Sequence, residues 1–187
     1  MRLWGEAVSS KFMMKKSTLH LCRTGMLAAV ALVLSVLENM IPDLPFVLPG
    51  MKLGLSNIAV MFALEMCPLL SALALVAVKA FFALVTRGAT AFLMSLAGGL
   101  LSALGMYLLI HCKKPVFGAL GIGIFGAFAH NMGQLLAAFL LVSDAVYVYL
   151  PLLSALSVVT GSLTGLVFCV VMPPLSRVPM FEGTALE

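Results

Sequence analysis

The stretch PDLPFVLPGMKLGLSN, residues 42–57, interrupts a chain that is otherwise built of long apolar runs. Pro42, Pro45, Pro49 and Gly50 deny it a regular helix, since proline removes an amide donor and crowds the preceding turn. Lys52, Ser56 and Asn57 then carry polar groups to the edge of the next apolar run. Residues 41–53 therefore read as an outer loop acting as a lid over a ligand site inside the fold. The short run that follows, from Gly54 to Met66, reads as a helix stopped by Cys67-Pro68.

The rest of the chain sets the solvent in which this loop must work. Of its 187 residues 63% are hydrophobic and 10% charged, with a mean hydropathy of +1.17. Soluble domains hold about 45–50% apolar residues, and so few charges cannot cover a water-facing surface of this size. The fold class expected is an all-α integral membrane protein. At about 20 residues per span, the length allows a six-transmembrane-helix bundle. The net charge of +4 is spread between apolar runs without interleaved aromatics, which argues against nucleic acid. Cys22, Cys67, Cys112 and Cys169 lack the spacing of a metal site or a disulfide framework, so no metal or cofactor is expected.

In chain order, residues 1–21 form a basic cytoplasmic leader, and the six-helix membrane domain covers 22–175. Its spans are placed at Cys22–Met40, Gly54–Met66, Leu69–Thr86, Ala91–Ile110, Val116–Val142 and from near Ala145 to Met172. Residues 176–187 form a tail. The first span ends in Leu37-Glu38-Asn39-Met40 without a small-residue cleavage site, so it reads as a retained helix and not as a signal peptide. Thirteen residues cannot cross about 30 Å of hydrocarbon as a helix. The second span must therefore be buried by its neighbours or completed by Phe46–Met51 dipping inward, and either way Lys52 and Asn57 lie next to protein.

With both termini cytoplasmic, eight basic residues fall inside (Arg2, Lys11, Lys15, Lys16, Arg23, Lys113, Lys114, Arg177) and two outside, Lys52 and Arg87. That is the positive-inside bias of a multi-pass protein of the cell membrane. In this topology Glu38, Lys52, Asn57, Lys79 and Gln134 lie in the outer half of the bundle, with His130 near mid-depth. Ionisable groups in hydrocarbon cost about 2.5–3.5 kcal/mol each by insertion scales, so they are expected to pair or to line a polar cavity. His130 and Gln134, four residues apart, share one helix face, with Gly126 and Gly118 extending it as a ridge of small residues. Asn131 adds a further amide beside them. Lys79 has two readings, a ligand contact or a buried pair with Glu38. Gly25, Ala28 and Ala29 form a smooth face on the first span suited to close helix approach. Ser95, Gly98, Gly99, Ser102 and Ala103 on the fourth span read as internal packing.

The segments LPGMKLGLSNIAVMFAL (48–64), SLAGGLLSALGM (95–106) and GAFAHNMGQL (126–135) resemble the Gx transporter family, long labelled heptaprenyl diphosphate synthase component I. That family is similar in turn to the substrate-binding S components of energy-coupling factor (ECF) transporters of bacterial plasma membranes. The resemblance implies an S-component-like fold with residues 42–53 as gate. The pocket would be formed by Asn57, Lys79, His130, Asn131 and Gln134, joined by Lys52 and Glu38. It also implies a small-molecule substrate, such as an anionic vitamin, a flavin or a prenyl-type compound. Gly25, Ala28 and Ala29 would dock on a transmembrane T component coupled to ATPases. The motif in S components is usually alanine-based, and Gly25 departs from it.

No GxxxxGK[ST] phosphate loop is present, so ATP hydrolysis of the P-loop kind must come from partners. Prenyl diphosphate synthesis binds diphosphate through Mg²⁺ held by carboxylates, and this chain has only Asp43 and Asp144, far apart. The expectation is a binding subunit and not an enzyme. The alternative is a non-catalytic accessory subunit in prenyl, quinone or flavin-linked redox metabolism.

Overall fold

The computed structural model of the chain describes residues 16–40, 52, 54–112, 117–141 and 148–178. These form six α-helices, α1 (Lys16–Met40), α2 (Asn57–Met66), α3 (Leu69–Arg87), α4 (Ala89–Ile110), α5 (Ala119–Leu141) and α6 (Leu150–Leu175), and no strand occurs among the described residues. All but α2 are long and apolar enough to cross a membrane. At ten residues α2 is about 15 Å long, half the hydrocarbon thickness. The residues placed in the lid loop, 41–51 and Leu53, lie outside the described residues, as do 1–15 of the leader and 179–187 of the tail.

Several boundaries differ from expectation. The first helix starts six residues early, at Lys16, because neither proline nor glycine lies between Lys16 and Arg23 to stop it. The last helix starts at Leu150 with Pro151 in its first turn, where a missing amide costs nothing, and continues through Pro173 and Pro174 to Leu175. Prolines so near the end delete few bonds that the helix would otherwise make.

Each long helix buries one stripe. On α1 the buried residues are Arg23, Leu27, Ala31, Ser35 and Glu38, every third or fourth position. On α3 they are Ala72, Leu75, Val76, Lys79, Ala80 and Ala83. The remaining faces are apolar and open, as at Val85, Leu70 and Leu140, which suits contact with lipid chains. The short α2 is the exception, with every residue but Glu65 buried. It touches all five long helices, which contact one another in the series α1, α3, α4, α5, α6. The two ends of that series, α1 and α6, share no contact among the described residues and meet through α2. Phe62 of α2 stacks on Phe168 of α6 with ring centroids 4.9 Å apart.

Because lipid is as apolar as these side chains, burial alone does not hold such a bundle together. Close packing and satisfied polar groups must. The α4–α5 contact shows how the sequence provides the packing. A Cβ at Gly98 would lie 2.7 Å from the His130 carbonyl oxygen, so only glycine lets the two backbones come this close at His130.

Candidate functional site

The polar side chains meet where α2 begins. His130 is the twelfth of the 23 residues of α5, and the turn before α2 packs directly on it. Gly54 in that turn has φ +83°, and a Cβ there would stand 3.0 Å from both His130 Cδ2 and Asn57 Nδ2. A side chain would thus be strained by the backbone and also blocked by its neighbours. The unwound chain ahead of α2 has therefore reached the middle of α5 before helix starts.

Two sets of hydrogen bonds hold this turn. On the α1 side, Glu38 accepts the Leu55 amide at Oε1 (2.6 Å) and the Ser56 hydroxyl at Oε2 (3.3 Å). Ser56, the N-cap of α2, makes no capping bond of its own. Glu38 thus places a carboxylate at the N-terminal end of α2, where the helix dipole favours negative charge. Lys52 Nζ donates to the Ser35 carbonyl one turn earlier on α1 (3.0 Å). On the α5 side, the Lys52 amide donates to Gln134 Oε1 (3.1 Å), and Gln134 Nε2 donates to His130 Nε2 (2.6 Å). The imidazole accepts at Nε2, which assigns its proton to Nδ1, lying against the backbone of α4 at Gly98.

Lys79 of α3, 4% exposed, donates to Asn57 Oδ1 at 2.9 Å. It is not hydrogen-bonded to Glu38, so of the two readings the buried pair with Glu38 is not what the structure displays: the ammonium bonds Asn57 instead. Between these groups lies a small cavity with room for about one water molecule, lined by Ser35, Glu38, Lys52, Ser56, Lys79, Phe82, Ser95, His130 and Gln134.

Of the residues singled out in the sequence, Glu38, Lys52, Asn57, Lys79, His130 and Gln134 come together. Asn131 does not join them: one residue on from His130, it is rotated toward α6, where Nδ2 donates to Ser157 Oγ (2.8 Å) and the Leu153 carbonyl (3.2 Å). The expected glycine ridge also differs. Gly126 faces Met106, a Cβ at Gly118 would meet open space, and Gly98 of α4 makes the close approach at the site. Ser35, Ser56, Ser95 and Gly54 complete the site without having been singled out for it. Ser35 lies three residues before Glu38, so helical spacing from a residue already suspected carried that signal, whereas Ser95 reads in the sequence as internal packing.

Gly25 and Ala29 of α1 are exposed and Ala28 is half-buried, with nothing within 4 Å of a Cβ at Gly25.

Neither a curated protein nor a solved structure matches the chain. A family model described as heptaprenyl diphosphate synthase component I matches residues 27–171, which include α2 to α5 entire and every lining residue of the cavity. The chain belongs to the heptaprenyl diphosphate synthase component I family.

Proposed function

We propose that the chain is the membrane substrate-binding subunit of an ECF-type micronutrient transporter, capturing a small molecule from outside and depending on partner ATPases for its release inward. One observation carries this reading. Glu38, Lys52, Lys79, His130 and Gln134, from α1, α3, α5 and the residues before α2, line a cavity inside an apolar bundle, and Asn57 of α2 accepts from Lys79 beside it. Such groups are costly in hydrocarbon and mark functional sites by default. The arrangement supplies hydrogen bonds and charge and assigns no covalent step to any residue.

In this reading the bundle has six crossings and cytoplasmic termini. The second crossing is made by α2 together with the loop residues ahead of it. Residues 41–53 form the gate. Gly25, Ala28 and Ala29 form the docking face for the T component, and the exposure of Gly25 and Ala29 supports that use. The cavity is small, so a vitamin-sized ligand requires the turn at residues 52–56 to move outward, exchanging its bonds to Glu38 and Gln134 for bonds to the ligand.

The test is mass spectrometry of small molecules released from the detergent-purified protein, with the Lys79→Ala/His130→Ala double variant as control. A single compound near one per protein, lost in the variant, is the expected result. The family's description favours a second reading, a non-catalytic accessory subunit handling prenyl or quinone compounds. A prenyl compound retained equally by both proteins would select it.

A further inference from the structure

A lysine ammonium has three N–H donors, and among the described residues Lys79 uses one of them, toward the neutral Asn57 Oδ1. Among the described residues no carboxylate pairs with it. Glu38, the acid lining the same cavity, has one oxygen on the Leu55 amide and the other on the Ser56 hydroxyl. Asn57 has the complementary defect. Its side chain is 2% exposed, yet Nδ2 has no acceptor among the described residues. The Lys79–Asn57 bond therefore holds two sets of unused donors side by side, at the first residue of α2 and at the positive end of its dipole. Buried donors without acceptors are rare in native folds.

We infer that Lys79 and Asn57 together receive an oxyanion, one oxygen on Lys79 Nζ and another on Asn57 Nδ2. The inference rests on the capture reading and names the substrate class, a ligand bearing a carboxylate or phosphate group. Glu38, itself an anion, holds the turn in the unliganded state. The same chemistry can arrive as a water-borne small molecule or as the phosphate of a membrane lipid.

The full chain in a neutral maltoside detergent is tested by its thermal unfolding midpoint, read by far-UV circular dichroism at ionic strength fixed with potassium chloride. The probes are inorganic phosphate, acetate and dihexanoyl phosphatidic acid, with dihexanoyl phosphatidylcholine as the lipid control. At least one anionic probe raises the midpoint of the wild type in a dose-dependent way. Lys79→Met removes the ammonium at similar length, and the apparent affinity falls about tenfold or more. Asn57→Asp sets a carboxylate against Nζ, which raises the midpoint without any probe and removes the response to the probes.

A response to phosphate or acetate assigns a water-borne ligand, and one confined to phosphatidic acid assigns a lipid headgroup. The inference is overturned if no anionic probe shifts the wild type, or if both variants respond as it does. It is also overturned if the captured compound carries no anionic group, an outcome that leaves the capture subunit standing. Conversely, a phosphatidic acid response with no captured small molecule keeps this site and removes the transport reading.

Discussion

Gly98→Ala is the smallest change that tests the geometry of the site. Its Cβ would sit 2.7 Å from the His130 carbonyl oxygen, 2.9 Å from His130 Nδ1 and 2.9 Å from Gln134 Cγ. Ordinary contacts begin near about 3.5 Å, so α4 and α5 must part by roughly 0.6–0.8 Å. The nearest atom is backbone and cannot rotate away, and the other two belong to the chain of bonds from Lys52 to His130. Overpacking of this kind costs about 1–3 kcal/mol, which for a chain of this size lowers the unfolding midpoint by roughly 2–12 °C. Gly25→Ala is the control. With nothing within 4 Å of its Cβ, it gains up to about 1 kcal/mol of helix propensity. Both variants are measured by thermal unfolding in detergent and by denaturation with sodium dodecyl sulfate. A Gly98→Ala midpoint at or above that of Gly25→Ala would refute the close approach of α4 and α5 described above.

Four further outcomes follow from the same contacts. Gln134→Leu leaves the Lys52 amide and His130 Nε2 without their partner and costs about 1–3 kcal/mol, whereas Gln134→Glu restores the acceptor for Lys52; unfolding midpoints that do not separate the two would remove the Lys52 bond from the account. Glu38→Leu destabilises by about 1–3 kcal/mol, while Glu38→Gln loses only the charge at the start of α2, about 0.3–1 kcal/mol. Cys112, just past the end of α4, is exposed, and the proposed topology puts it inside, so an impermeant maleimide labels it in inverted vesicles only. Gly25→Leu reduces co-purification with a T component and spares ligand binding.

The sequence carried much of this arrangement because hydrophobic runs and helical spacing are local. The short apolar run after Gly54 was too brief to cross a bilayer, and burial by neighbours is what α2 displays. The four-residue spacing of His130 and Gln134 put both on one face, and they bond each other. What depended on chain separation was not legible. Glu38 and Lys79 are plausible partners by charge, yet Ser56 and Asn57 intercept them, and only the position of the turn determines that. Asn131 looks equivalent to His130 in sequence, but the rotation of about 100° per residue sends it to Ser157. Gly98 reads as internal packing and Gly54 as the start of a span, but the atoms each must admit appear only once the backbone opposite is known.

The shortness of α2 also bears on how the protein is made. A ten-residue apolar segment is a poor substrate for co-translational partition into lipid, which favours stretches of about 20 residues. Its ends would leave polar backbone in hydrocarbon unless other helices were already there to receive them. The walls that receive it, α3 to α6, all lie later in the chain. During synthesis α2 must therefore wait, held at the bilayer surface or shielded beside α1, until its C-terminal neighbours have emerged. Truncations ending before α6 should leave the 54–66 segment open to proteases, and the full chain should protect it.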